Sequence, residues 1–479
     1  MRSEAMVVWR SKNGLSMLLA AISSVALGVL IVKVPASYVS YLILGLASIW
    51  LMAIRPQWYV LAFWGFSVVG GSLAEGVARM ELAVGGLTIN PFGLLNGLLP
   101  LFYMSTCVAR GSLPQRAPMR GVLLLLAMWA TLSLLLGGLS PRGIRQWVTL
   151  LNWAAAYLIF CEPSLRSLKP RRIATYMAIV AVMFALTVLW SAWSGRGIPD
   201  ASQQIAYGSE TIYRASGFTT QPEGAGEVLA IFAVGCLAFM VRPREQKILV
   251  GIFVLLVAGI WFTHARTATL GLFAAALVVL WTSDRFNWIS GLLALCAGLL
   301  LIVSNPRFDW SSALSGDFNR VVYSNAFWRM DAWKELLGQM SVRNYFFGNG
   351  IGSAWETLGG SPHNEYVAYL YDMGVVGVGF LMAMICGSIR YAAKIYRRGQ
   401  GSLERGWGLA CVGVVVADSI FKMVGIPLSS PSSSYSLWLT VAMVCISHSE
   451  ESRGSTSRPR HPDRASDAIV KCFGDGASA

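Results

Sequence analysis

Long apolar runs recur along this chain, separated mostly by short polar segments. A run of about 18 or more apolar residues can cross a hydrocarbon core about 30 Å thick, and only a helix satisfies its own backbone hydrogen bonds there. The pattern predicts spans at residues 16–32, 37–54, 58–73, 91–108, 120–137, 146–161, 173–192, 224–241, 247–263, 267–282, 286–303, 364–389, 407–425 and 435–448. The expected fold class is therefore an all-α polytopic membrane protein with about 14 transmembrane helices (range 12–14).

Two connections are long, residues 193–223 and 304–363. Connections of that length are usually functional or disordered, and the second is rich in Trp, Tyr and Phe, which predicts order and partial helicity. The segment after Ser449 is polar and rich in Ser, Pro and Arg, so residues 449–479 are expected to be a disordered tail behind a membrane domain at 1–448. The first residues, MRSEAMVVWRSKNG before an apolar run, have the charge order of a signal sequence. The run is longer than a typical signal core, so it reads as an uncleaved first span.

Charge then orients the chain. With the N-terminus inside, 25 of the 38 lysines and arginines fall in cytoplasmic segments, leaving 13 for the other side. The positive-inside rule accordingly places both termini in the cytoplasm and both long connections, including the large loop 304–363, in the periplasm. Composition agrees with a membrane chain: 55% of residues are hydrophobic and 13% charged, against roughly 25% charged in soluble domains. The net charge of +14 is thereby explained by topology, and no nucleic acid partner is expected. The eight cysteines include no CxxC and no His/Cys cluster, so neither a disulfide framework nor a zinc site is suggested. There is also no GxxxxGK[ST] loop, no HExxH, no GxSxG and no D-x-D pair.

The 13 outward charges are not required by topology, and several lie at span ends. Arg142 and Arg145 occupy the turn SPRGIR; Arg214 lies in RASGFTTQPEG; His264 and Arg266 lie in FTHARTATLG; Arg329 lies in FWRMDAWKELLG. Arginine's planar fork suits phosphate, so their convergence on one side suggests an anionic headgroup. The plain alternative for each arginine is interfacial snorkelling or an ion pair with a loop carboxylate. His363 stands in SPHNEYVAYLYDMGVVG. Ser361 is expected to cap the following helix and Pro362 to open it, which places His363 in the first turn, where the dipole disfavours imidazolium. A neutral imidazole can act as a general base, although a capping or packing histidine fits this local pattern equally. Glu365, Tyr369 and Asp372 follow as one polar stripe, and Asp418 with Lys422 reads as a structural pair inside the membrane. The glycine-rich GNGIGSAWETLGG reads as turns.

These residues resemble the bacterial O-antigen ligase and O-antigen polymerase family. GNGIGSAWETLGGSPHNEYVAYLYDMGVVGVGFLMAM is similar to that family's G-x-G loop, His-Asn pair, acidic residue and Gly-x-x-Gly helix. FTHARTATLGLFAAAL resembles its (S/T)-R-(T/G)-A helix and FWRMDAWKELLGQ its arginine-bearing loop helix. RASGFTTQPEGAGEVLAIFA resembles a further segment but has Glu223 where asparagine is more usual. The resemblance covers roughly 205–390.

It implies a metal-independent, inverting glycosyltransferase in the bacterial cytoplasmic (inner) membrane, with a periplasmic site and no cofactor. The donor would be an oligosaccharide or polysaccharide on undecaprenyl diphosphate, and the acceptor a lipid-linked glycan or lipid A–core. The implied catalytic residues are His363, Arg329 and Arg266, with no metal bound; beside them Arg142, Arg145, Arg214, Asn364 and Glu365 are expected to bind substrate. The implied partners are the bilayer, a chain-length regulator and a flippase. A polymerase of O-antigen or exopolysaccharide repeat units is expected first and an O-antigen ligase second. A protein-glycosylating branch usually carries a further periplasmic C-terminal domain. A transporter or lipid-linked-oligosaccharide flippase would be expected to show repeats and midplane charges, and a non-catalytic scaffold is the last alternative.

Overall fold

The computed structural model describes residues 46–69 except 53, 82–84, 87–89, 99–105, 107–108, 117–161, 169–194, 204–207, 210–217, 222–240, 246–283, 329–399, 401–424 and 436–446. Expected spans 16–32 and 286–303, most of 37–54, loop residues 304–328 and the tail 449–479 lie outside them.

Within the described residues the chain is helical almost throughout. The main helices are α1 (Pro56–Val69), α2 (Arg120–Leu136), α3 (Pro141–Cys161), α4 (Pro170–Ser194), α5 (Pro222–Met240), α6 (Gln246–Thr263) and α7 (Arg266–Thr282). A helical segment at residues 329–338 (α8) follows, then α9 (Val342–Phe347), α10 (Ser353–Leu358), α11 (Glu365–Arg398), α12 (Ser402–Val424) and α13 (Ser436–Ile446). Four are long and apolar enough to cross a membrane: α4, α5, α11 and most of α12. Shorter apolar helices are α2, most of α6, α7 and α13. Each overlies an expected span, because continuous apolarity is the signal that both length and burial obey.

Two short antiparallel hairpins depart from an all-helical chain. Leu82–Val84 (β1) pairs with Leu87–Ile89 (β2), and Gln204–Tyr207 (β3) with Glu210–Tyr213 (β4). In sequence, Gly85-Gly86 and Gly208-Ser209 separate the paired strands, and dipeptides of that kind favour two-residue hairpin connections.

The core sits where α5, α7, α11 and α12 meet, α12 packing against the other three. Small residues recur among the buried positions: Ala225, Gly226, Ala230 and Ala233 on α5, Ala268, Gly271, Ala275 and Ala276 on α7, Ala410 and Ala417 on α12. Between helices in lipid, small residues let backbones approach and so gain van der Waals contact. α11 is longer than expected, reaching Arg398. Its last turn carries Arg397 and Arg398, cations that suit the negative end of a helix. The polar extension is invisible to a hydropathy reading.

Candidate active site

The local structure around His363 differs from the capping expected of it. Asn364, not Ser361, is the N-cap of α11: its Oδ1 accepts from the Val367 N–H at 3.1 Å, and the helix begins at Glu365. Ser361 instead turns the chain before the helix, its Oγ accepting from the His363 N–H at 3.2 Å. His363 therefore lies outside the helix at φ 50°. Among the described residues only Met119, His264 and His363 are non-glycine residues with positive φ. Such backbones cost energy and persist where the surroundings over-determine them.

The turn is held from above by α8. The Trp333 indole donates to the Pro362 carbonyl at 2.7 Å. Arg329 lies one helical turn before Trp333, on the same face of α8. Half-burial of His363 pushes its imidazole below the usual value, the Arg329 charge pushes it further down, and Glu223 acts in the opposite direction. Burial likewise lowers Arg329, and Glu223 offsets this. Burial and the neighbouring guanidinium favour the neutral imidazole, in place of the first-turn position expected from sequence.

Glu223, in the first turn of α5, was read only as a departure from a family pattern; it is an organising charge. It forms an ion pair with the buried Arg214, whose Nε donates to the Thr263 carbonyl at 3.1 Å. The Ala215 N–H donates to the Phe262 carbonyl at 2.9 Å, so residues 214–217 dock on the end of α6. This contact fixes the turn Thr263–Ala265 from which α7 starts, with Arg266 exposed as its first residue.

Arg142 and Arg145 open α3. Arg145 is exposed, whereas Arg142 stacks its guanidinium 3.6 Å from the centroid of the Trp355 ring. Burial and then the Arg145 charge pull Arg142 below its usual value, while Glu356 supports the charge. A small cleft lies between these elements, lined by Gln146 of α3, Trp355 of α10, Pro362 next to His363, and Asp372 of α11.

The remaining expected substrate-binding residues are engaged within the protein. Asn364 caps α11, and Glu365 is buried with its Oε2 3.7 Å from Lys422 Nζ. Lys422 also pairs with Asp418, as the sequence spacing suggested, so one ammonium serves two carboxylates between α11 and α12. Glu227, buried on α5, lies within electrostatic reach of all three.

α11 is broken at Gly374, where φ is 68° and ψ −172°. The break frees carbonyls that would otherwise bond within the helix, and an unsatisfied group at membrane depth costs several kcal/mol. Three carbonyls beside the break have partners outside the helix. The Tyr371 carbonyl accepts from the Asn349 N–H at 2.8 Å, and the Asp372 carbonyl from the Gly350 N–H at 3.0 Å and Ser133 Oγ at 2.9 Å. The Met373 carbonyl accepts from Trp129 Nε1 at 2.9 Å. The glycine-rich loop, expected to form only turns, thus supplies N–H donors to the broken helix. Gly350 also lies against Gly137 at the end of α2, an approach that leaves no room for a side chain on either.

Residues 251–382 match the sequence model of a family described as O-antigen ligase. The segment runs from α6 through the His363 turn to the broken part of α11. That segment resembles an O-antigen ligase-family domain. No curated protein matches the chain. The matched segment encloses Arg266, Arg329, His363, Asn364 and Glu365; Arg142, Arg145 and Arg214 precede it, Arg142 reaching it through Trp355 and Arg214, on the non-helical stretch after β4, through the Thr263 carbonyl.

Proposed function

We propose that this chain transfers a glycan from undecaprenyl diphosphate to a sugar hydroxyl at the periplasmic face of the bacterial cytoplasmic membrane, polymerising O-antigen or exopolysaccharide repeat units. The observation that carries the reading is His363 itself: an imidazole on a positive-φ turn, its neutral form favoured by half-burial and by Arg329, within the segment that matches the O-antigen ligase family. His363 accepts the proton of the acceptor hydroxyl as the oxygen attacks the anomeric carbon. The bond from that carbon to the diphosphate oxygen breaks, and the diphosphate leaves with the electron pair. One displacement with one base inverts the anomeric centre, and none of these steps uses a metal.

Arg329, next to the base, orients donor or acceptor. Arg266, with Arg142 and Arg145, meets the charge that grows on the leaving diphosphate, where preorganised donors act most strongly. Arg214, Asn364 and Glu365 are assigned to holding the site, since each is already engaged by a protein partner.

A ligase that joins finished polymer to lipid A–core is the second reading, favoured by the description of the matching family. Deleting the gene separates the two. Surface lipid A–core bearing single repeat units, restored to full ladders by the wild-type gene, supports the polymerase. Bare core with accumulated lipid-linked polymer supports the ligase, and unchanged surface glycans contradict both.

A further inference from the structure

Asp372 and Trp355 lie outside the reacting groups assigned above, yet between them they fix one of those groups. Asp372 is buried on α11 just before the break. Its Oδ2 accepts from the Gly352 N–H at 2.9 Å, and its Oδ1 from the Ala354 N–H at 2.7 Å and from Ser353 Oγ at 3.1 Å. One carboxylate therefore takes three donors at the start of α10. A buried polar group is stable only when its hydrogen bonds are made, and these three tie the first turn of α10 to α11.

Trp355 is the next residue of α10 after Ala354, and its ring is the surface on which the Arg142 guanidinium stacks. A second contact brings α3 to the same place: Gly352 packs against Gly143, the residue after Arg142, with no room for a side chain between them.

We propose that Asp372 and Trp355 are positioning residues that hold Arg142 for the donor's diphosphate, Asp372 by fixing α10 and Trp355 by offering its ring face. The proposal rests on the reading that Arg142 contacts that diphosphate. A guanidinium on an arginine stem has many rotamers, and stacking selects one before the ligand arrives. The acidic residue and the glycine-rich loop of the sequence thereby acquire a joint purpose that spacing alone does not disclose.

The test measures binding of undecaprenyl diphosphate by the full-length protein in nanodiscs. Arg142→Ala and Trp355→Leu are each expected to weaken binding roughly tenfold, about 1.4 kcal/mol. The double variant is expected to bind no more weakly than Arg142→Ala alone, because Trp355 acts only through Arg142. Trp355→Phe keeps an aromatic face and is expected to stay within about threefold of wild type. Asp372→Asn should behave like Trp355→Leu, again without further effect once Arg142 is alanine. Trp355 is partly exposed, so its variants keep the question answerable if Asp372→Asn does not fold.

Trp355→Leu that binds like wild type, or that weakens Arg142→Ala by a further tenfold, overturns the positioning role and leaves the transferase reading standing. Arg142→Ala that binds like wild type, or a wild-type protein that binds no diphosphate lipid, overturns the reading of Arg142 on which the proposal rests.

Discussion

Gly374→Ala probes the break in α11 directly. At φ 68° and ψ −172° the position lies in a region that is essentially glycine's alone, and a side chain there costs about 1–3 kcal/mol in backbone strain. The new Cβ would also overlap the Phe346 carbonyl oxygen and lie 2.7 Å from Phe347 N, both backbone atoms of α9 that cannot rotate away. Overpacking of this kind adds about 1–3 kcal/mol. Together the substitution should destabilise by about 2–6 kcal/mol, close to the upper end for point changes. At about 2 °C per kcal/mol the detergent-solubilised protein should lose about 4–12 °C of Tm.

Gly379→Ala is the matched control. It lies on the same helix beyond the break, with open space around it, and should be neutral or slightly stabilising because alanine favours helix by about 0.5–1 kcal/mol. Fluorescence-detected size-exclusion after a heating series reads both variants. The reasoning is refuted if Gly374→Ala keeps wild-type Tm and wild-type glycan transfer, since a straightened α11 would lose the loop contacts and be inactive.

Other consequences follow from the same contacts. Because burial and Arg329 both lower the His363 imidazole, the acidic limb of log kcat/KM should fall below pH 6.5, the ordinary histidine value. Removing the positive neighbour in Arg329→Gln should move that limb to higher pH, while Glu223→Gln should move it lower; limbs that coincide in all three proteins contradict the assignment. Arg214→Met should cost about 2–4 kcal/mol, because Glu223 and the Thr263 carbonyl lose their shared cation in a mostly buried place, and a loss under 1 kcal/mol by thermal unfolding argues against it. Lys422→Met leaves Asp418 and Glu365 without their ammonium and should destabilise by about 3–5 kcal/mol. Adding Asp418→Asn should restore part of that in the same assay.

Much of the helical framework was legible in the sequence because membrane helices announce themselves by uninterrupted apolarity. The ends were less so: Arg390 to Arg398 continue α11 as a polar helix that hydropathy cannot see. The break at Gly374 also escapes a hydropathy reading, since nothing in apolar content reports φ; Gly374 and Gly377 within one apolar run were the available hint. The Glu365–Tyr369–Asp372 stripe was visible as a polar face and is buried as one, yet its partners were not. Asp372 bonds mainly to backbone N–H groups, which carry no residue signature. For His363, the expected first-turn position does not hold, and the groups that favour its neutral form, burial and Arg329, act through the fold. Arg214 and Glu223 could have been paired from opposite charge alone, had the ion-pair alternative been followed to a named carboxylate.

The central claim is that His363 is the base of a glycosyl transfer that releases a polyprenyl diphosphate. Purified protein supplied with undecaprenyl-diphosphate-linked glycan should release undecaprenyl diphosphate and form a longer or transferred glycan. His363→Ala should lose at least about 100-fold of that turnover, the lower end of what a positioned general base contributes, while keeping its thermal stability. Turnover undiminished in a folded His363→Ala protein would contradict the account.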